Sequence, residues 1–134
     1  MYKTILVPID LSHPELGRKT MAIARKIGGD QSRIVLLNVL EAIPGYVAAE
    51  LPDGLMGRNL ANARAELRML AEEAGVESDV RSGHPPVTIL EYAKEIGADL
   101  IIIASHRPGL QNYFLGSTAA RVVRHAECAV LVDR

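Results

Sequence analysis

Short apolar runs alternate with longer amphipathic repeats along this chain, and this alternation limits its fold more than any other feature. The first run, Thr4-Ile5-Leu6-Val7, is too short for a helix, is rich in β-branched residues and is closed by Pro8. A run of this kind is typical of a strand that is buried on both faces. Ser12 and Glu15 then have capping-box spacing, and apolar residues recur at helical intervals between positions 16 and 27. The chain therefore begins with a predicted strand followed by a predicted helix.

The same order repeats to the end of the chain. A second apolar run from Ile34 to Leu40 is followed by residues 42–57, a segment marked by Pro and Gly that we expect to be a mobile loop. The other expected elements are a helix from Leu60 to Ala74, a strand from Val76 to Arg81, a helix from Ile89 to Ile96, a strand from Leu100 to Ala104, a helix from Ser117 to His125 and a strand from Cys128 to Val132.

Regular alternation of buried strands with helices predicts an α/β fold built on a doubly wound, open five-stranded parallel sheet. We expect four helices to cover the sheet in a three-layer α/β/α sandwich, with the strand order 3-2-1-4-5. In that order the first and fourth strands are central neighbours. Ligands of such sheets bind beyond the carboxyl ends of the strands, where the strand order reverses.

Composition limits the class of protein. The chain has 134 residues, about half of them apolar, and a net charge of −1, which predicts one compact domain over residues 1–134 and argues against nonspecific binding of nucleic acid. The one cysteine, Cys128, excludes an internal disulfide and predicts a cytoplasmic protein. We expect no secretory signal and no membrane-spanning segment, because the chain passes from Met1 directly into a strand and has no long apolar run.

A candidate anion site follows the fourth strand. Residues 101–109 and then Gly116-Ser117-Thr118 predict a strand, a loop and the open start of a helix. The first N–H groups of a helix have no acceptor within it and lie at the positive end of its dipole. Gly116, Ser117 and Thr118 are therefore expected to hold a phosphate through backbone and hydroxyl donors.

The predicted sheet places a second group of residues beside this site. Pro8-Ile9-Asp10 follows the first strand, and Ile103-Ala104-Ser105 ends the fourth. Because the Asp10 carboxylate would repel phosphates, its expected partner is a ribose hydroxyl or a base edge, with the phosphates displaced toward Gly116-Ser117. Two simpler interpretations remain open: Asp10 caps a turn before the first helix, and Ser117 is an ordinary N-cap.

Three blocks of sequence resemble the universal stress protein family in the expected order. They are residues 5–12 (ILVPIDLS), 97–102 (GADLII) and 115–132, and the similarity extends over essentially the whole chain. Ser105-His106-Arg107-Pro108 after the fourth strand resembles a subgroup of small bacterial members. The resemblance implies a protein that binds ATP and acts in regulation or the stress response.

The chain departs from the glycine pattern of ATP-binding relatives, which is Gly, two residues, Gly, about nine residues, and then Gly followed by Ser or Thr. Gly116-Ser117 matches the end of this pattern, but Ala104 and Arg107 stand at the first two glycine positions, and eight residues separate Arg107 from Gly116. The Arg107 guanidinium either fills the pocket or clamps a phosphate, and we favour the clamp because Gly109 supplies flexibility nearby.

The resemblance also implies roles for the matching positions. Pro8, Ile9 and Asp10 would border the adenosine, the backbone of Val39 would contact the adenine edge, and Ile103 would close the apolar slot. Ser117 and Thr118 would cap the phosphates, and Mg²⁺ would be held mainly by the phosphates and water. The nucleotide-binding set is completed by Ala104, Ser105, His106, Arg107, Gly109 and Gly116.

Other functions of this architecture fit the residues less well. A phosphoacceptor receiver domain needs further acidic residues beside Asp10, and a Walker-type NTPase needs a Gly-Lys-Ser/Thr sequence that the chain lacks. Two alternatives to a regulatory ATP-binding protein stay open: a nucleotide-free homodimer that acts through protein contacts, and a slow ATPase without an identified general base. The apolar last strand, from Cys128 to Val132, would expose an edge, so we expect a homodimer that pairs this strand with its copy. An unidentified protein partner is also expected.

Overall fold

The computed structural model describes residues 1–105 and 115–134, and these residues form five strands and five helices. The strands are β1 (Thr4–Pro8), β2 (Arg33–Glu41), β3 (Glu77–Gly83), β4 (Leu100–Ala104) and β5 (Ala129–Asp133). The helices are α1 (Pro14–Gly28), α2 (Gly45–Ala48), α3 (Leu55–Ala74), α4 (Pro85–Ile96) and α5 (Ser117–His125).

All five strands are parallel and lie in the order β3-β2-β1-β4-β5, which confirms the predicted sheet. β1 pairs with β2 along its whole length and with β4 through Ile5 opposite Leu100 and Leu6 opposite Ile101. The helices form the two outer layers, because α1 and α3 pack on one face of the sheet and α4 and α5 on the other. The expected three-layer sandwich is confirmed.

The apolar runs in the sequence are explained by the helices that cover both faces of the sheet. Successive side chains of a strand point to opposite faces. Ile5 and Val7 of β1 therefore contact the layer of α1 and α3, whereas Leu6 contacts the layer of α4 and α5, and all three are fully buried. A central strand between two helical layers needs apolar residues at its buried positions, as β1 has from Ile5 to Val7.

The start of α1 differs from the capping box predicted at Ser12 and Glu15. The N-cap of α1 is His13, and no side chain of the described residues caps this end. The Ser12 N–H instead donates to Asp10 Oδ1 at 2.9 Å, within a turn closed by the hydrogen bond from the His13 N–H to the Asp10 carbonyl. Helix α1 begins at Pro14 because proline suits the first helical position, where an N–H is not needed.

The region predicted as a loop, residues 42–57, is partly helical. It contains the one-turn helix α2, and α3 begins at Leu55, five residues before the expected start at Leu60. The four expected helices are present, and α2 is an additional one. The last strand also lies one residue later than predicted, since Cys128 precedes β5 and Asp133 ends it. Gly75 and Gly97, both with a φ of +67°, end α3 and α4 as expected.

Asp99 fixes the start of the central strand pair. Its Oδ2 accepts the Lys3 N–H at 2.9 Å and its Oδ1 accepts the Thr4 N–H at 3.0 Å, while its own N–H donates to the Thr4 carbonyl at 2.9 Å. The hydrogen bond from Lys3, with a smaller contribution from Thr4, holds the pKa of the Asp99 carboxyl below its ordinary value. The ionised carboxylate therefore stabilises the entry of β1 beside β4.

We predict that Asp99→Asn lowers the free energy of unfolding at pH 7 by about 1 kcal/mol, because an amide accepts through one atom and carries no charge. Since the folded-state pKa is lowered, the ionised carboxylate contributes fully above the unfolded-state pKa, and the contribution is lost as the pH falls through the folded-state value. The difference between wild type and variant should shrink below about pH 4 in chemical denaturation. A constant difference from pH 7 to pH 3 would contradict this account, and Asp30→Asn, at an exposed position, is the control.

Candidate functional site

The carboxyl ends of the central strands β1 and β4 lie side by side, and we call the space beyond them the crevice. The two strands are neighbours and end at the same edge of the sheet, β1 at Pro8 and β4 at Ala104. The chain continues from β1 to β2 on one side, whereas β5 lies on the other side beyond β4. This is the reversal of strand order at which doubly wound sheets bind ligands. The structure therefore brings residues 8–10 and 103–105 to one edge, as the sequence predicts.

The apolar residues at this edge are anchored in the two cores. Ile9 is buried in the layer of α1 and α3, and a Cβ placed on Gly17 of α1 would lie 2.8 Å from Ile9 Cδ1. Ile103 is buried on the opposite face, in the layer of α4 and α5. Pro8 and Ala104 are half-buried. The two isoleucines thus hold the strand ends from opposite sides.

Asn38 ends the hydrogen-bond ladder between β1 and β2. The Ile9 N–H donates to the Leu37 carbonyl at 2.8 Å, and the next ladder bond would join the Val39 N–H to the Ile9 carbonyl. That carbonyl accepts Asn38 Nδ2 at 2.9 Å, and the described residues show no ladder bond beyond Leu37. Alternate residues of a strand direct their N–H and carbonyl groups to the same neighbouring strand, so Val39, like Leu37, directs its groups toward the side of β1. At the level of Val39, however, β1 has already ended. The backbone of Val39 faces the crevice.

The Asn38 side chain has a further unusual property. The residue is only 7% exposed, and its Oδ1 has no hydrogen-bond partner among the described residues. A buried acceptor without a donor costs free energy, so such atoms are uncommon and are often explained by a ligand or water. Sequence reasoning missed Asn38, although a polar residue within the apolar run from Ile34 to Leu40 is a usable signal.

Asp10 lies at the exposed end of β1. Its Oδ1 accepts the Ser12 N–H at 2.9 Å, so the simpler interpretation of Asp10 as a turn-capping residue is seen in the structure. A carboxylate has acceptor capacity for several hydrogen bonds, and the turn uses Oδ1 for one of them. The Asx turn holds the Asp10 side chain two residues beyond the end of β1, at the edge of the sheet where β4 also ends.

Ser105 connects β4 to the start of α5 and to β5. It is 2% exposed, its N–H donates to the Asp133 carbonyl at 2.8 Å, and its carbonyl accepts the Gly116 N–H. These bonds place Gly116, the N-cap of α5, directly beside the end of β4. Ser117 is thus the first residue of the helix and not its N-cap.

The start of α5 presents backbone donors. The first intrahelical bond runs from the Ala120 N–H to the Gly116 carbonyl at 2.9 Å, so the N–H groups of Ser117 and Thr118 have no acceptor within the helix. No side chain in residues 1–105 or 115–134 caps this end. Ser117 is exposed and Thr118 half-buried. This is the arrangement expected of an anion site. The expected binding residues His106, Arg107 and Gly109 lie outside the described residues.

Neither a metal-binding cluster nor a reactive cysteine accompanies the candidate site among the described residues. Within the described parts of the chain, no three His, Cys, Asp or Glu side chains converge in a way that would hold a metal ion. Burial raises the pKa of the Cys128 thiol, which keeps it protonated and weakly nucleophilic. None of the helices in the described regions is both long enough and apolar enough to cross a membrane.

The adjacent ends of β1 and β4, the open start of α5 and the switch in strand order define a doubly wound α/β protein with a candidate ligand site at this edge of the sheet. The sequence model of the family described as "Universal stress protein family" matches residues 1–134. Universal stress protein G of Escherichia coli O157:H7 is 33% identical over 147 residues, with all of both chains covered. The chain belongs to the universal stress protein family.

Solved structures show the same fold. Universal stress protein UspA from Lactobacillus plantarum superposes with a TM-score of 0.82 at 26% identity, covering 99% of this chain and 98% of that one. A universal stress protein in complex with cAMP has a TM-score of 0.65 at 22% identity, covering 99% of this chain and 97% of that one.

We predict that Asn38→Asp destabilises the protein by about 2–4 kcal/mol at pH 7, because a buried carboxylate would face the Ile9 carbonyl and lose the donated hydrogen bond. Burial raises the folded-state pKa of such a carboxyl, so the penalty should grow as pH rises through the unfolded-state value and should shrink on acidification. Denaturation curves at pH 4 and pH 7 measure the change. Asn62→Asp, an exposed substitution on α3, is the matched control, and an equal loss from both variants would refute the role of Asn38.

Proposed function

We propose that this chain is an ATP-binding protein with a regulatory role in the stress response, and that the nucleotide lies across the carboxyl ends of β1 and β4. The observation that carries the proposal is the convergence at one sheet edge of the Val39 backbone, the Asp10 carboxylate and the open start of α5. These groups match the three parts of a nucleotide, namely base, ribose and phosphate.

Each part of the nucleotide has a proposed partner. The adenine edge would bond the N–H and carbonyl of Val39, beside Pro8, Ile9 and Ile103. The ribose hydroxyls would donate to Asp10. The phosphates would accept from the N–H and hydroxyl groups of Ser117 and Thr118, beside Gly116, whose own N–H donates to the Ser105 carbonyl. Ala104 and Ser105 would border the phosphates, and His106, Arg107 and Gly109 complete the proposed set.

The described residues fit such a ligand in two respects. The Val39 backbone groups point past the end of β1, where the ladder stops, and therefore have a side on which a base edge can bond. Helix α5 begins at a glycine, so no side chain of its N-cap covers the first N–H groups. Mg²⁺ would be held mainly by the phosphates, and bound ATP would supply an occupancy signal.

The adenine class is supported by the relative of the same fold that was solved with cAMP. Regulation would follow if ATP binds one conformation better than another, since a ligand shifts an equilibrium only by its differential affinity. The segments that we propose to respond are residues 42–57 and 105–115. The first of these exposes Tyr46 to 78%, which offers an unidentified protein partner an aromatic contact. A cytoplasmic location belongs to the same proposal and suits the single thiol, Cys128.

We predict that ATP with Mg²⁺ raises the melting temperature of the wild-type protein and that Gly116→Val abolishes the rise. A β-branched side chain at the N-cap would cover the donors at the start of α5. Differential scanning fluorimetry and mass spectrometry of ligand released from freshly purified protein measure the effect. Ala61→Val, which adds a β-branched side chain at an exposed position of α3, is the control. A wild-type protein that shows no shift and releases no nucleotide would overturn the proposal.

We further propose a homodimer in which β5 pairs antiparallel with β5 of a second copy. β5 is an edge strand with half-buried apolar residues, and its outer side has no strand beside it in the described residues. Asp133 bonds toward β4 through Ser105, so the alternate residues Val130 and Val132 direct their backbone groups outward. An unpaired edge of this kind favours pairing with another strand.

We predict that Val130→Pro converts the dimer to a monomer while leaving the sheet folded, because proline removes an outward N–H and spares the ladder to β4. Leu131→Pro is the contrasting variant, since it removes an N–H that faces β4 and should unfold the edge. Sedimentation at micromolar concentration, with circular dichroism as the check on folding, distinguishes the two. A monomeric wild type, or a Val130→Pro variant that stays dimeric, would contradict this interface.

A further inference from the structure

A groove between α4 and α5 has a basic wall that the family assignment does not explain. It encloses about 530 Å³ and is lined on the α4 side by apolar residues such as Val87 and Leu90. The α5 side contributes Ser117, Arg121 and Arg124. None of the described residues that line it carries a carboxylate, although the whole chain has a net charge of −1. The groove therefore favours an anionic ligand.

The Arg121 guanidinium lies at the same edge of the sheet as the crevice. Its Nη1 is 3.2 Å from His84 Nε2, and His84 directly follows Gly83, the last residue of β3. The Arg121 side chain therefore extends toward the starts of both α4 and α5. Helical side chains lean toward the amino end of their helix, so an arginine one turn after Ser117 reaches back over that turn.

The groove is continuous with the start of α5. Ser117 lines the groove and also begins the helix whose first N–H groups form the candidate phosphate site. Arg121 follows Ser117 by about 6 Å along the helix axis, and Arg124 by about 10 Å. A phosphate chain that begins at Ser117 and continues into the groove meets these two arginines in succession.

We propose that this groove is a distal-phosphate subsite, in which Arg121 contacts the phosphates beyond the one held at the start of α5. The inference rests on the proposed function and deepens it, because it predicts that the number of phosphates on the nucleotide determines how tightly it binds. The guanidinium has five N–H donors, and the contact with His84 occupies one nitrogen of its fork. The planar fork is suited to bidentate contact with phosphate oxygens. Arg124 adds a second positive charge to the lining of the groove.

The nearby negative charge of Glu127 does not neutralise the arginines that line the groove. Glu127 lines a neighbouring pocket of about 340 Å³, where its Oε1 lies 3.1 Å from Lys94 Nζ. The Glu127 carboxylate is thus paired with Lys94 in the neighbouring pocket, which shares Leu90 with the groove. The positive charges of Arg121 and Arg124 are therefore directed at whatever enters the larger groove.

The test compares ATP, ADP and AMP by isothermal titration calorimetry at fixed Mg²⁺ and ionic strength. Wild type should bind ATP more tightly than AMP. Arg121→Gln should weaken ATP at least tenfold and AMP less than twofold, and Arg121→Lys should recover part of the loss. Arg64→Gln removes the same charge from the exposed surface of α3, on the other face of the sheet, and should change neither affinity. An unchanged ratio of ATP to AMP affinity in Arg121→Gln would overturn the inference.

A second probe separates this inference from the proposed function. If wild type binds no adenine nucleotide, the proposed function fails, and inorganic tripolyphosphate then tests the groove alone. Binding of tripolyphosphate that is lost in Arg121→Gln and kept in Arg64→Gln supports the subsite, whereas no binding, or binding that both variants retain, overturns it. Circular dichroism of each variant confirms that the fold is intact.

Discussion

The parallel pairing of β1 with β4 is the constraint on which the rest of the structure depends. Two residue pairs form their register, and the Asp99 carboxylate fixes its beginning by accepting the backbone N–H groups of Lys3 and Thr4. Because β2 flanks β1 on the other side, the chain leaves the centre of the sheet in opposite directions. The ends of β1 and β4 consequently have no crossover above them, and this opening is where the polar groups collect.

The fold could be predicted from the sequence because local pattern and tertiary role agree along most of the chain. The run from Ile34 to Leu40 is apolar except at Asn38, and a strand covered on both faces accounts for this pattern. The sequence pattern and the structure disagree where an element is too short to show a repeat, or where two local interactions compete for the same group. A one-turn helix such as α2 has no periodicity to detect, and the capping-box spacing at Ser12 was misleading because Asp10 takes the Ser12 N–H while Pro14 sets the start of α1.

The candidate site could be predicted in part for a related reason. Asp10 and Gly116 were identified because strand ends and helix starts have recognisable residue types, and the topology then places them at one edge. Asn38 was missed because its effect depends on which carbonyl its amide reaches. The contact between His84 and Arg121 joins the N-cap of α4 to a residue of α5 that is 37 positions away. The relative orientation of these two helices is set by core packing rather than by local sequence.

Ser105 has a consequence that extends beyond its own position. This buried residue bonds the carbonyl of Asp133 through its N–H and the N–H of Gly116 through its carbonyl. Ser105 therefore links β5, through Asp133, to Gly116, the N-cap of α5, by its two backbone hydrogen bonds. A second copy paired with β5 and a phosphate held at α5, both proposed above, would therefore act on two neighbours of the same buried residue, and any coupling between them would be reciprocal.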